Sequence, residues 1–340
     1  MTEYMQMADT IDQLVEEGRG ILAADESTGT IGKRFNSINI ENNEENRRDY
    51  RELLFSTPHL EDHISGVILF EETLTQKTKN GRPLVDMLTE KGIIPGIKVD
   101  KGLIHLAGTV DEKISIGLDD LDQRLQTYKA QGARFAKWRN VFQITDHSPS
   151  PIAIRCGAEV LARYASSCQE AGIIPIVEPE ILIDGNHNIM QAAAVCSQVL
   201  HEVFQALNAH HVHLELMILK TSMVTCGIEH QPFSSPEEVA EHSIMVYMNH
   251  VPAAVPSLNF LSGGQTPEQA SFNLNMMNQM GIFPWNLSFS YGRALQDHCL
   301  KTWAGKAENV PAAQQALYQA CRQNGLASLG ELNIQAASMA

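Results

Sequence analysis

Short apolar runs alternate with longer amphipathic stretches along the whole chain. Eight of these runs are almost continuously apolar, as expected of strands that are covered on both faces. The candidate strands are Gly20–Ala24, Gly66–Phe70, Ile93–Val99, Arg134–Arg139, Ile173–Glu180, Leu214–Lys220, Ser257–Ser262 and Asn286–Ser290. Helical periodicity separates them, most clearly at Ile152–Gln169, Met190–Ala206, Pro236–Met248 and Pro267–Met280. The pattern therefore predicts parallel β/α units.

The number of strands predicts how the sheet is arranged. Eight strands that alternate with helices favour closure into an α/β fold of the (β/α)8 TIM-barrel type. We expect one domain over residues 1–340, with an extra N-terminal helix before Gly20 and a short mobile C-terminal tail that begins at Leu326. A doubly wound open sheet is the alternative. It loses support because the sequence has no GxGxxG and no GxxxxGK[ST] motif.

Composition, net charge and cysteine spacing exclude several classes of function. Hydrophobic residues make up 44% and charged residues 19% of the 340 residues, which is ordinary for a soluble enzyme. The net charge of −15 argues against a nucleic-acid partner and against binding to acidic membranes. No apolar run is long enough to span a membrane, and the acidic start differs from a secretory leader. Six cysteines without metal-ligand spacing favour reduced thiols, so we expect a cytoplasmic protein.

Charged or hydroxyl-bearing residues lie at the carboxyl end of nearly every predicted strand. They are Asp25, Glu71, Lys98, Asp100, Lys101, Lys137, Arg139, Glu178, Glu180, Lys220, Ser262 and Arg293. In a barrel these ends form one rim, where active sites lie. The alternative is that the charges mark only the places where strands leave the core.

Lys220 is the most informative of these residues. It ends the apolar run LMILK, where burial and a neighbouring lysine such as Lys137 favour the neutral amine that can attack a carbonyl. The alternative is a lysine that extends out of the rim into water. Lys137 can equally be ion-paired with Glu178 or Glu180, which point to the same side of their strand. The two glutamates are then either an acid–base pair or counter-ions for the buried lysines.

Two groups of residues have the character of phosphate sites. Ser262-Gly263-Gly264 and Tyr291-Gly292-Arg293 follow the last two strands, where barrels commonly bind phosphate through backbone N–H groups. A second group, formed by Ser27, Thr30, Lys33 and Arg34, follows the first strand. Each loop taken alone is also compatible with an ordinary turn. Two such groups on one rim predict a substrate with two phosphates.

Three histidines raise the possibility of a metal site. His210, His211 and His213 directly precede the sixth strand, at the opposite end of the barrel from Lys220. No cysteine or acidic residue with zinc-like spacing accompanies them. We therefore expect a surface cluster and no metal.

Several sequence motifs together indicate a family. They are GRGILAADESTGTIGKRF, EENRRDYRELL, GVILFEETL, GIKVDKG, FAKWR, LARYAS, IVEPEIL, FLSGGQ and FSYGRALQ, in order from about Gly18 to about Ala320. In these motifs the sequence resembles class I fructose-bisphosphate aldolases. The resemblance implies reversible cleavage of fructose 1,6-bisphosphate to dihydroxyacetone phosphate and glyceraldehyde 3-phosphate, a step of glycolysis and gluconeogenesis. It also implies a lysine Schiff base as electron sink, no metal or other cofactor, and a homotetramer.

The resemblance also implies a role for individual residues. Lys220 would form the imine and Glu178 would act as general acid and base. Lys137 would assist the proton transfers, Asp25 would take the C4 hydroxyl proton, and Glu180 would orient the lysines. The C1 phosphate would be bound by Ser262, Gly263, Gly292 and Arg293. The C6 phosphate end would be served by Ser27, Thr30, Lys33, Arg34, Lys98 and Arg139.

The sequence departs from the family pattern at two places. Many members continue the Schiff-base lysine as Lys-Pro-Asn-Met, whereas here Lys220 is followed by Thr221-Ser222-Met223, which predicts a looser turn after the sixth strand. Animal members end in a tyrosine that exchanges the C3 proton. The last tyrosine here is Tyr318, in a helical stretch, so we expect another group to exchange that proton.

Three other functions compete with this interpretation. One is a different Schiff-base lyase acting on a smaller or singly phosphorylated sugar. Another is a non-catalytic protein that reuses the scaffold, although a scaffold needs none of the reactive residues. A zinc-dependent aldolase is the third, and it would need metal ligands that the sequence does not provide.

Overall fold

The structure, a computed structural model, describes residues 2–333 and contains a closed barrel. Its eight parallel strands pair in chain order, and the first also pairs with the last. The strands are β1 Gly20–Ala24, β2 Ile64–Leu69, β3 Ile94–Lys98, β4 Phe135–Phe142, β5 Ile174–Ile181, β6 Ile218–Ser222, β7 Ser257–Leu261 and β8 Asn286–Tyr291. The predicted TIM barrel is confirmed, and the open doubly wound sheet is wrong.

One predicted strand begins in the wrong place. The sixth strand starts at Ile218, whereas Leu214–Leu216 forms a 3-10 turn. The side chain of Gln169 donates to the carbonyl oxygens of His213 and Leu216, so these residues bond to a neighbouring helix and not to a strand. The apolar run extends through both the turn and the strand because both are covered by the core. Hydrophobicity alone therefore could not separate them.

Twelve α-helices are present among residues 2–333. They are α1 Glu3–Leu14, α2 Thr28–Asn36, α3 Glu44–Ser56, α4 Glu71–Thr75, α5 Leu84–Thr89, α6 Leu121–Ala130, α7 Pro151–Glu170, α8 Ile189–Ala209, α9 Pro236–His250, α10 Pro267–Gln279, α11 Arg293–Trp303 and α12 Val310–Ser328. Their starts follow helix-capping chemistry. In α10, for example, Thr266 and Gln269 form a reciprocal capping box with Pro267 in the first turn.

The N-terminal helix α1 packs against the core at the amino end of the barrel. Met7, Ile11 and Leu14 are buried in one apolar cluster with inward-facing strand residues such as Ile94 and Phe135. The predicted extra helix is therefore confirmed. It fills the end of the barrel opposite to the rim that carries the charged residues.

The predicted mobile tail falls partly beyond the residues that the structure describes. Helix α12 includes Leu326–Ser328, so a tail that begins at Leu326 is wrong. Residues 334–340 lie outside the described residues. No helix within residues 2–333 has the length and apolarity needed to cross a membrane.

Strand alternation explains how charged side chains enter the barrel. Phe135, Ile176 and Ile218 belong to the interior cluster that α1 covers. Because side chains of a strand alternate between its faces, the next inward positions toward the carboxyl end are Lys137, Glu178 and Lys220. The barrel interior is therefore apolar toward the amino end of the strands and polar at the carboxyl rim.

Candidate active site

Four of the predicted catalytic residues form one cluster at the carboxyl rim. Glu178 lies between the two lysines, with Oε1 3.1 Å from the Nζ of Lys220 and Oε2 3.3 Å from the Nζ of Lys137. Asp25 Oδ2 lies 2.8 Å from the same Lys137 nitrogen. The side chains of Lys137, Glu178 and Lys220 are at most 5% exposed, and that of Asp25 is 14% exposed. The structure therefore brings these residues together in a buried site.

The two lysines differ in their carboxylate partners. Lys137 contacts Asp25 and Glu178 and lies 3.9 Å from Asp100 Oδ2, whereas the ion pair of Lys220 is with Glu178. Burial by itself would lower the pKa of Lys137, but Asp25, Glu178 and Asp100 outweigh burial and raise it. Lys137 is therefore held as a cation at neutral pH.

Asp25 is held in the opposite charge state. Burial alone would raise the pKa of Asp25, but the nearby Lys137 and Lys220 outweigh burial and lower it. Asp25 is therefore a carboxylate throughout the neutral range. It offers an ionised acceptor beside a fixed ammonium group.

This pairing predicts a pH-dependent contribution to stability. Because the folded protein lowers the pKa of Asp25, its stabilisation is present above the ordinary value of 3.8 and is lost as the pH falls toward the folded-state value. We expect Asp25→Asn to lower the free energy of unfolding most near pH 7 and progressively less in more acidic solution. Urea unfolding of both proteins from pH 7 to pH 3 measures this.

Asp297 provides a control for the measurement. It is exposed and pairs with Lys301 one helical turn away, so Asp297→Asn should change stability little at any pH. A loss of stability in Asp25→Asn that is independent of pH would contradict the assigned charge state of Asp25.

Glu180 has a different partner from the one implied by the resemblance. Within residues 2–333 its ion pair is with Arg139 and not with a lysine. In this structure the carboxylate thus contacts a guanidinium at the rim, and the orientation of the lysines by Glu180 stays a prediction. Lys98 is similarly tied to Asp100, with Nζ 2.7 Å from Oδ1.

The loops after β7 and β8 meet at the rim. Ser262 is buried, and Gly263 and Gly264 adopt φ values of +47° and +94°, which favour glycine. A Cβ built on Gly264 would lie 3.9 Å from a guanidinium nitrogen of Arg293. Gly292 precedes the first turn of α11, whose first backbone N–H groups have no partner within the helix. This geometry suits a phosphate group.

The residues after β1 form the second polar group. Ser27 caps α2, and its Oγ lies 3.1 Å from Thr30 Oγ1, while Thr30 and Lys33 are exposed. Arg34 extends in another direction: its Nη2 lies 3.6 Å from the position of a Cβ built on Gly292. Arg34 thus connects the two groups that the sequence separated.

Two buried acids near the rim were not assigned a role from the sequence. Glu26 is bonded to Arg34 and lies 2.6 Å from a guanidinium nitrogen of Arg51, and Gln296 donates to its other oxygen at 3.0 Å. Asp100 bonds to Lys98 and approaches Lys137. The acidic pair Asp25-Glu26 was visible in the sequence. The burial of Glu26, however, depends on helices α3 and α11, which are distant along the chain.

The histidine cluster remains a surface feature. His210 Nε2 lies 3.0 Å from Glu159 Oε1, and His213 Nδ1 lies 3.4 Å from Glu215 Oε1. Among the residues that the structure describes, no group of three or more His, Cys, Asp or Glu side chains is arranged to hold a metal ion.

Comparisons with known proteins agree with this geometry. The family model described as class-I fructose-bisphosphate aldolase, a glycolytic enzyme, matches residues 6–340. The chain belongs to the class I fructose-bisphosphate aldolase family. The fold and enzyme class implied by the motifs are therefore confirmed: the protein is an aldolase, a carbon–carbon lyase, and not a non-catalytic scaffold.

The matches to individual relatives cover nearly the whole length of this aldolase. It is 54% identical over 327 residues to cytosolic fructose-bisphosphate aldolase 5 of Arabidopsis thaliana, covering 96% of this chain and 91% of that one. It is 52% identical over 328 residues to the aldolase of Echinococcus multilocularis, covering 96% and 90%. The solved structure of the Plasmodium falciparum aldolase has a TM-score of 0.96 and 49% identity, covering 97% of this chain and 96% of that one.

The aldolase also shows what replaces Lys-Pro-Asn-Met. Strand β6 continues through Thr221 and Ser222, and both pair with β7. The Tyr247 hydroxyl donates to the Ser222 carbonyl oxygen at 2.6 Å. The end of the strand is therefore held in place, contrary to the looser turn expected from the missing proline.

Proposed function

We propose that this aldolase cleaves fructose 1,6-bisphosphate reversibly with Lys220 as the Schiff-base nucleophile. The observation that carries the proposal is the buried carboxylate of Glu178, which contacts Lys220 and Lys137 at once. Since three carboxylates hold Lys137 as a cation, which cannot attack a carbonyl, we assign the nucleophilic amine to Lys220. The two lysines thereby take different roles in one site.

Imine formation would use Glu178 as the proton carrier. The Lys220 ammonium first passes a proton to the adjacent Glu178 carboxylate. The neutral nitrogen then gives its electron pair to the C2 carbonyl carbon and passes one of its own protons to the carbonyl oxygen, which gives a carbinolamine. Glu178 donates the proton it received to this hydroxyl group, and water leaves as the protonated C=N bond forms. The ammonium of Lys137 stabilises the negative charge that develops on the oxygen.

Cleavage of the C3–C4 bond would use Asp25 as the base. Its carboxylate, ionised at neutral pH, accepts the C4 hydroxyl proton, and the C4 oxygen forms a carbonyl. The electron pair of the C3–C4 bond moves into the protonated imine, which becomes an enamine. Glyceraldehyde 3-phosphate leaves. Protonation at C3 and hydrolysis of the imine then release dihydroxyacetone phosphate and restore Lys220.

Two sets of residues would bind the phosphates. We assign Ser262, Gly263, Gly292 and Arg293 to the C1 phosphate, and Ser27, Thr30, Lys33, Lys98 and Arg139 to the C6 end. Arg34 lies beside Gly292 and connects the two sets. Cations at both ends favour a bisphosphate over a singly phosphorylated sugar. A lower kcat/KM for fructose 1-phosphate than for the bisphosphate is expected, and equal values would favour the rival lyase.

The mechanism requires no metal, because the protonated imine withdraws the electron pair. We expect cleavage of fructose 1,6-bisphosphate to be unchanged by EDTA in an assay coupled to triose-phosphate reduction. A zinc-dependent aldolase would be inactivated by EDTA and reactivated by Zn²⁺, so that result would overturn the proposal.

The last part of the proposal concerns the domain count, the subunit count and the cellular compartment. We propose that the chain is one domain, that it forms a homotetramer, and that it acts in the cytoplasm, as the names of the cytosolic relatives suggest. Light scattering coupled to size exclusion tests the subunit count, and a mass of one or two chains would contradict the tetramer.

A further inference from the structure

The hydrogen-bonded pairing between β5 and β6 stops just before the reactive residues. The register pairs Ile176 with Ile218 and Val177 with Leu219 and then ends. On its other side β6 pairs with β7 through Ser222. Glu178 and Lys220 are the next residues of β5 and β6, so backbone pairing does not fix the distance between them.

Pro179 gives a reason why the pairing cannot simply continue. It follows Glu178 in β5, and proline has no N–H group to donate to a neighbouring strand. The two strands must therefore be joined beyond this point by another contact, or their ends would be free to separate.

Ser222 supplies that contact. Its Oγ donates to the carbonyl oxygen of Ile181 at 2.9 Å and accepts from the Ile181 N–H, also at 2.9 Å. Ile181 is the last residue of β5 and Ser222 the last of β6, and both are buried. One hydroxyl group thus satisfies both backbone groups of Ile181 in place of a strand pair.

We propose that Ser222 is a positioning residue that sets the separation of Lys220 and Glu178. It stands two residues beyond Lys220 on the same face of β6 and joins this strand to the one that carries Glu178. The register on the β7 side and the bond from Tyr247 already hold the backbone of Ser222. Its side chain then places the end of β5 relative to β6.

The inference rests on the proposed function, because it concerns proton transfer between Glu178 and the Lys220 adduct. It also gives a role to a residue at which this chain departs from the Lys-Pro-Asn-Met pattern. The serine hydroxyl donates and accepts through a single oxygen atom, which an alanine side chain cannot do.

Ser222→Ala tests the proposal. We expect kcat for fructose 1,6-bisphosphate to fall about 10- to 100-fold, the loss typical of a small displacement of reacting groups. KM should change little, because the phosphate loops are untouched. The rate at which borohydride traps the imine with dihydroxyacetone phosphate should fall by a similar factor. Ser222→Thr, which keeps the hydroxyl group, should retain most of the activity.

Ser65→Ala is the matched control. Ser65 is a buried serine of β2 whose Oγ donates to the carbonyl oxygens of Leu14 and Gly20 at 2.8 and 3.2 Å, away from the rim. Its loss should lower thermal stability without lowering kcat. If Ser222→Ala does not fold, Ser222→Cys replaces it: its thiol is only a weak hydrogen-bonding group, so its kcat should still fall below that of the wild type.

The outcomes separate the two proposals. Wild-type kcat and trapping rate in Ser222→Ala or Ser222→Cys would overturn the positioning role, as would an equal loss of kcat in Ser65→Ala. If the wild-type enzyme itself forms no adduct on Lys220, the proposed function fails and the role of Ser222 fails with it.

Discussion

Replacing Lys220 with arginine is expected to lower the turnover of fructose 1,6-bisphosphate by about 10⁴- to 10⁶-fold, the range for loss of a covalent nucleophile. In the structure the Nζ of Lys220 lies 3.1 Å from the Oε1 of Glu178, and arginine keeps a positive charge at this position. Its guanidinium stays protonated in proteins, so it cannot add to the C2 carbonyl. The coupled cleavage assay measures this loss.

Two further variants show whether the loss is specific to Lys220. Lys91→Arg changes a lysine that bonds to the Thr57 carbonyl and to Glu61 away from the rim, and it should retain normal turnover. Lys137→Met should also lose activity, but Lys220 should still form the imine. Turnover of Lys220→Arg within about tenfold of wild type would remove Lys220 from the mechanism, since loss of a nucleophile costs far more.

Replacing Glu178 with glutamine is expected to lower kcat by about 10²- to 10⁴-fold, the usual contribution of a general acid–base group. Glutamine has nearly the same shape but cannot carry a proton between the carbinolamine hydroxyl and water. It also removes the negative charge that both lysines contact in a buried site. Pre-steady-state mixing with the bisphosphate should show slow loss of water from the carbinolamine, and borohydride should trap the imine more slowly.

Glu180 offers the matched control because it lies on the same face of β5. Its carboxylate pairs with Arg139, so Glu180→Gln should act mainly on KM through the C6 phosphate end. Equal losses of kcat in the two variants would mean that Glu178 has no special part in proton transfer.

The sequence predicted the barrel and the catalytic cluster for the same physical reason. In FAKWR, an apolar residue and a lysine share one face of a strand, so burial of Phe135 inside the barrel also directs Lys137 inward. The same alternation relates Ile176 to Glu178 and Ile218 to Lys220. Parallel strands then bring these side chains to one rim.

Contacts between distant segments could not be predicted in this way. The partner of Glu180 depends on the registry of β4 and β5, and the burial of Glu26 depends on Arg51 from α3. Alternation fixes the face of a side chain but not its neighbour. The Leu214–Leu216 turn was missed because its apolar residues are covered as those of a strand are.

The hydrogen bonds between the Ser222 hydroxyl and Ile181 also could not be predicted from the sequence. A serine at the end of an apolar strand has no distinctive pattern, and its importance follows from the point at which the β5–β6 register stops. From the sequence, only the proline missing at Thr221 suggested a change at the end of this strand. The next residue, Ser222, joins two strands in the structure.

Borohydride trapping tests the central claim most directly. The enzyme is incubated with dihydroxyacetone phosphate with and without EDTA, reduced, digested and analysed by mass spectrometry. We predict one adduct, on Lys220, that forms equally in EDTA and is absent from Lys220→Arg. An adduct on Lys137, or none on any lysine of the folded enzyme at saturating ligand, would contradict the assignment of Lys220 as the nucleophile.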